Sequence, residues 1–115
     1  MKLRAALGVL AGMFVCSGAM AAGALAGVTV VSVRVDSDGR GVATFNYPLG
    51  GTPASCAIAA YNNALSFNAG NAGGQATLAV LLTAKSTGAL VWMYGLGSCS
   101  IYPGNVEDLN YVVVQ

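Results

Sequence analysis

The chain has 115 residues, 56% of them hydrophobic and only 8% charged, with five basic side chains, four acidic ones and no histidine. That length suits one small domain, and the near-neutral balance without a basic cluster argues against a nucleic-acid partner or an anionic lipid surface. The lack of imidazole removes the commonest general base and the commonest transition-metal ligand.

The chain opens with the basic "MKLR" and continues with the uncharged "AALGVLAGMFVCSGAMAAGALA". A basic start, an apolar stretch and small residues in A-x-A spacing are the layout of a secretory signal peptide. Ala19 with Ala21, or Ala24 with Ala26, supplies the cleavage pattern, so residues 1–26 are read as leader and 27–115 as the domain, with cleavage after Ala21 left open. Two competing readings are an uncleaved anchor, disfavoured because Ala and Gly insert weakly, and lipid attachment at Cys16, which lacks a small residue before it. Beyond residue 26, three basic side chains (Arg34, Arg40, Lys85) face four acidic ones (Asp36, Asp38, Glu107, Asp108). The domain is expected to be secreted or periplasmic, with no membrane span after cleavage. In that compartment Cys56 and Cys99 read as one disulfide. Closing a loop of about 43 residues is worth roughly 4 kcal/mol in the chain-entropy account. A domain this small buries a modest core, and self-association would be a second source of stability.

The clearest predicted elements are two strands at 28–36 and 40–47, where Val31, Val33 and Val35 alternate with polar residues and Asp38-Gly39 supplies a tight turn. "PLGGTP" (48–53) reads as a loop, and "ALSFNA" as a short strand at 64–69. A helix is predicted at 74–87, where Leu78, Leu81, Leu82 and Lys85 fall at i, i+3, i+4 and i+7 and Gly88 suits the left-handed stop. "ALVWMYG" (89–95) reads as a strand with Leu90, Trp92 and Tyr94 on one face and Val91 and Met93 on the other, both faces covered. "LNYVVVQ" (109–115) is the closing strand. The order β-β-β-α-β-β suits a mainly β, α+β fold: a small, partly open, OB-like barrel of five strands with the helix packed across it.

Chemistry-bearing residues are sparse. Asp36 and Asp38 lack the further oxygen ligands of a calcium loop and read as an acidic hairpin turn. Glu107 and Asp108 are adjacent, so in a strand they point to opposite sides. A glycosidase pair such as Glu107 with Asp36 has no support in the sequence. Lys85 suits the negative end of a helix. "GLGSCS" (95–100) has two glycines but no lysine and no following helix, so it reads as a turn that places Cys99 rather than as a phosphate loop. No catalytic residue, metal site or cofactor is expected. The useful lead is the tyrosines: Tyr47, Tyr61, Tyr94 and Tyr102, with Trp92, exceed what so small a core holds, and Tyr47, Tyr61, Tyr94 and Tyr102 are the candidate ligand contacts. The competing reading, favoured for any single residue, is that each tyrosine caps the core with its hydroxyl in water.

"AGGQATLAVLLTAKSTGALVWMYGLGSCS", followed by "VEDLNYVVV", resembles a group of small secreted bacterial proteins. They share an early cysteine, a "GKA-LL-A--SG" helix, a "V--GTGTC" strand end and an acidic residue before a final "Y--V" strand. Cys56, Leu81, Leu82, Ala84, Gly88, Gly95, Gly97, Cys99, Glu107 and Tyr111 carry the likeness, whereas Gln75 stands where the group has lysine. The group is similar in arrangement to the B subunits of subtilase-cytotoxin-type toxins. That resemblance implies an OB-fold binding module, a homo-oligomer such as a pentamer, and a glycan ligand; none of the toxin's sugar-binding residues is carried over to positions of this chain. The alternatives are an envelope accessory protein that contacts other proteins and, last, an enzyme.

Overall fold

A computed structural model describes residues 22–115; the expected leader through residue 21, with Cys16, lies outside the described residues. The described chain is mainly β with one helix. In order it forms β1 (Gly23–Val28), β2 (Val30–Val35), β3 (Arg40–Phe45), β4 (Gly50–Gly51), β5 (Ala64–Asn68), α1 (Ala72–Thr87), β6 (Val91–Gly95) and β7 (Leu109–Val114). A four-stranded antiparallel sheet has the order β4-β1-β6-β7, and a three-stranded one the order β2-β3-β5. Seven strands in two sheets thus replace the five expected, and they do not make a closed barrel.

The two additional strands are β1 and β4. β1 begins at Gly23, upstream of the expected domain start at Gly27, and its composition (GALAGV) hides it because Gly and Ala have little strand preference. β4 is only Gly50–Gly51, inside the stretch expected as a loop. β1 and β2 follow one another across Thr29, so one nearly continuous run serves both sheets. On the far side, a parallel bridge joins Ser66 of β5 to Asp108, just before β7.

The β2–β3 hairpin forms, with a turn one residue longer than a two-residue Asp-Gly connection. Asp36 N–H donates to the Arg40 carbonyl at 2.7 Å, and Gly39 takes a positive φ of 92°. A three-residue loop with glycine in that position is a favoured hairpin closure.

Helix α1 starts where the Asn71 side chain accepts a hydrogen bond from Gly74 N–H at 2.7 Å, and stops at Gly88 in the left-handed region. Its buried positions are Gly74, Leu81 and Ala84, with Leu78 half-buried beside them. The expected stripe is therefore rotated: Leu82 is exposed, and Ala84 takes the inward place. Gly74 is required by close approach, since a Cβ there would overlap the Asn68 carbonyl. Val28, Ala43, Phe45, Leu65, Phe67, Leu81, Val91 and Met93 fill the main core between the sheets and the helix. A smaller cluster of Val42, Ala64, Tyr102 and Val106 lies under the loop before β7.

The Cys56–Cys99 disulfide is present, with an S–S distance of 2.04 Å, and joins loops 43 residues apart. Among the described residues no helix is long and apolar enough to cross a membrane.

Candidate functional site

The glycine-rich turn after β6 is organised around two carboxylates of the protein itself. Glu107 and Asp108 are both buried, at 0% and 2% exposure, although charged side chains are seldom placed there. Glu107 Oε2 accepts from Gly23 N–H at 2.9 Å and Gly97 N–H at 3.0 Å, while Oε1 accepts from Ala54 N–H at 2.8 Å. Asp108 faces the other way. It accepts from the Ser98 hydroxyl (2.9 Å), the Ser100 hydroxyl (2.7 Å) and the backbone N–H groups of Ser100 and Ile101 (3.0 Å each to Oδ1), with Ser66 at 3.3 Å. Burial by itself pushes the Asp108 carboxyl up. The Ser100, Ile101 and Ser98 hydrogen bonds together outweigh it and hold the group below the ordinary aspartate value.

This geometry accounts for "GLGSCS". A Cβ at Gly95 would overlap the Glu107 carboxylate, and Gly97, at φ 78°, turns its N–H onto the same group. Ser98 and Ser100 serve Asp108, and Cys99 between them carries the disulfide. The loop does cradle an anion, but the anion is internal and its donors are already used. The two acids lie just before β7 rather than in a strand, and each takes its own set of donors.

A second constellation lies beside the hairpin. Tyr102 is 9% exposed, and its hydroxyl donates to Asp36 Oδ2 at 2.5 Å. Arg40 lies 4.5 Å from the centre of its ring and Arg34 5.8 Å, so cations flank the aromatic face. Arg34 also pairs with Asp36 at 3.0 Å, and Arg40 with Asp38 at 2.7 Å. Burial and the bond to Asp36 raise the Tyr102 phenol above its ordinary value. The neighbouring Tyr102 and Tyr61, with the Asp36 carboxylate, strengthen the hold of Arg34 on its proton. The Arg40 backbone N–H and guanidinium hold the exposed Asp38 below the ordinary aspartate value. Every charge in the group has an internal partner, and among the described residues no cluster of three or more metal-ligating side chains occurs.

The outward face of the four-stranded sheet is different. Trp92, Tyr94, Tyr111 and Val113 are each close to half exposed. Register brings them together: Tyr94 lies opposite Tyr111, Trp92 opposite Val113, and Ala24 opposite Tyr94. The rings of Tyr94 and Tyr111 are 5.3 Å apart and tilted by 39°. A cleft of about 210 Å³ opens beside them, lined by Ala24, Leu25, Ala26, Trp92 and Tyr94. The expectation that both faces of 89–95 are covered is therefore corrected. Val91 and Met93 are fully buried, but nothing in the described chain covers Trp92 and Tyr94.

The structure does not bring the four candidate tyrosines to one place. Tyr94 is on the aromatic face, and Tyr47 is exposed in the loop after β3. Tyr102 is buried with its hydroxyl engaged, and Tyr61 packs half-buried against the same small cluster. Tyr111, read from sequence as part of the closing strand and of the resemblance but not as a ligand contact, joins the face as well. Its i, i+2 alternation with Val113 was the available signal. Comparisons with protein-family models, with curated proteins and with solved structures find no match to this chain.

Proposed function

We propose that this chain is an exported, non-enzymatic binding module that uses the Trp92–Tyr94–Tyr111 face to hold a glycan. The carrying observation is the exposed aromatic strip with its adjoining cleft. Contiguous exposed apolar surface marks an interaction site. Aromatic rings offer a flat apolar face with a polar tip, which suits the mixed apolar and hydroxylated faces of a sugar ring. The cleft is smaller than the roughly 300–1,000 Å³ typical of sites for drug-sized ligands, in keeping with a single ring rather than a large cofactor.

The proposal extends to a partly open OB-like barrel similar to the toxin B subunits, assembled as a homo-oligomer such as a pentamer. Support for the barrel comes from the circuit β2-β3-β5, the parallel Ser66–Asp108 bridge toward β7, then β6, β1 and back across Thr29 to β2. Support for export comes from the leader-like start and the disulfide.

A glycan array probed with the disulfide-bonded chain tests this reading. Binding that disappears in Trp92→Ala and Tyr94→Ala, with circular dichroism unchanged, is the expected result. An empty array, with a stable protein partner recovered from envelope extracts, would replace it with the accessory-protein reading. A monomer in light scattering would remove the oligomer.

A further inference from the structure

Two A-x-A patterns stand near the start of the chain, ending at Ala21 and at Ala26, and the fold distinguishes between them, because the second lies inside β1. β1 is an interior strand, paired with β4 on one side and β6 on the other. Ala24 and Leu25 lie opposite Tyr94 and Met93, and Gly23 and Ala24 opposite Gly51 and Gly50. The Ala22 carbonyl accepts from Thr52 N–H at 3.1 Å, and Gly23 N–H supplies one of the three bonds to the buried Glu107. Leu25 packs against the main core. A cut after Ala26 would remove all of this. It would leave β4 without its partner, open the edge of β6 along Tyr94 and Met93, and leave Glu107 one donor short. A buried carboxylate that loses one of its donors destabilises the fold.

We infer that the leader is removed by hydrolysis of the Ala21–Ala22 peptide bond, so that the mature chain begins at Ala22. A leader peptidase adds one water across that bond. The C–N bond breaks, the carbonyl carbon of Ala21 gains the hydroxyl oxygen as a carboxylate, and the nitrogen of Ala22 leaves as an ammonium group. The cut also places a charge. Consecutive backbone nitrogens lie within about 4 Å of each other, so the new ammonium sits within roughly 7 Å of Glu107 Oε2. Among the described residues the ion pairs are Arg34–Asp36 and Arg40–Asp38, and neither serves Glu107. Processing at Ala21 thus delivers a positive terminus beside this buried carboxylate.

Intact-mass spectrometry and N-terminal sequencing of protein exported by its native host decide the matter. The expected terminus is Ala22. A terminus at Gly27, at any other residue, or at an unprocessed Met1 would overturn the inference. A second measurement compares refolded chains that start at Ala22 and at Gly27. The shorter chain is expected to unfold at a temperature at least 10 °C lower or not to fold at all, and equal melting would overturn the structural argument.

Discussion

The loop after β6 and the outward face of β6 and β7 are neighbours in sequence and opposites in physics. From Gly95 to Ile101, the N–H groups of Gly97, Ser100 and Ile101 and the hydroxyls of Ser98 and Ser100 are spent on Glu107 or Asp108. On the outward face, Trp92, Tyr94 and Tyr111 keep large apolar surfaces in water and find only one another. The first region holds the chain together, whereas the second leaves large rings uncovered by the described chain. Substitutions in the loop should therefore read out in stability, and those on the face in binding.

The largest effect expected is in the loop. Replacing Cys56 and Cys99 together with serine removes a closure worth about 4 kcal/mol, comparable to much of the stability of a domain this small. Chemical denaturation should show the midpoint collapsing toward zero denaturant. A midpoint near that of the parent would mean that the carboxylate clamp suffices without the covalent bond. Next, Gly95→Ala pushes a methyl group into the Glu107 carboxylate and should cost about 3 kcal/mol. An unchanged melting temperature would show that the loop yields, against the tight geometry described above.

Asp108→Asn sharpens the comparison through pH. The folded-state value of Asp108 lies below its ordinary one, so its ionised form is favoured by folding. That contribution is complete above about pH 4 and fades as pH falls through the lower folded value. The variant should lose about 1–3 kcal/mol at neutral pH and less in strong acid, giving a flatter acid limb in thermal melts. Parallel limbs for parent and variant would argue that Asp108 is not the titrating group. Smallest in stability are Trp92→Ala and Tyr94→Ala, each expected to change it by about 1 kcal/mol or less because the side chains are half exposed. A glycan bound by the parent should nonetheless be weakened at least tenfold. A large loss of stability instead would place these rings in the core and erase the contrast.

Much of the architecture was legible because it rests on strong local signals. The alternating valines of β2, the Asp-Gly turn and the Gly88 stop reflect backbone and burial preferences that act within a few residues. β1 was illegible because its small residues suit a leader as well as a strand, and only pairing with β6 makes it one. β4 consists of two glycines that accept pairing without side-chain preference. The helix face differs from the leucine pattern at Leu82, which is exposed, while Ala84, three residues after the buried Leu81, takes the inward place. Of the candidate site, Tyr94 and Trp92 were visible as excess aromatics, but Tyr102 was indistinguishable from them until Asp36, Arg34 and Arg40 were seen around it. The burial of Glu107 and Asp108 was hidden for a related reason. The donors to Glu107 are backbone N–H groups at Gly23, Ala54 and Gly97, which no residue type advertises. Those to Asp108 combine the Ser98 and Ser100 hydroxyls with the N–H groups of Ser100 and Ile101.

The placement of β1 and β7 on either side of β6 has a mechanical consequence. β6 runs antiparallel to both, so β1 and β7 run in the same direction. The chain enters the sheet beside Tyr94 and leaves it beside Val91. Tension applied to its two ends would slide the strands lengthwise and load their crosswise hydrogen bonds simultaneously, rather than unzip them in succession. The covalent link between Cys56 and Cys99 would keep the enclosed segment from paying out. Stretching such a sheet has to break those bonds together.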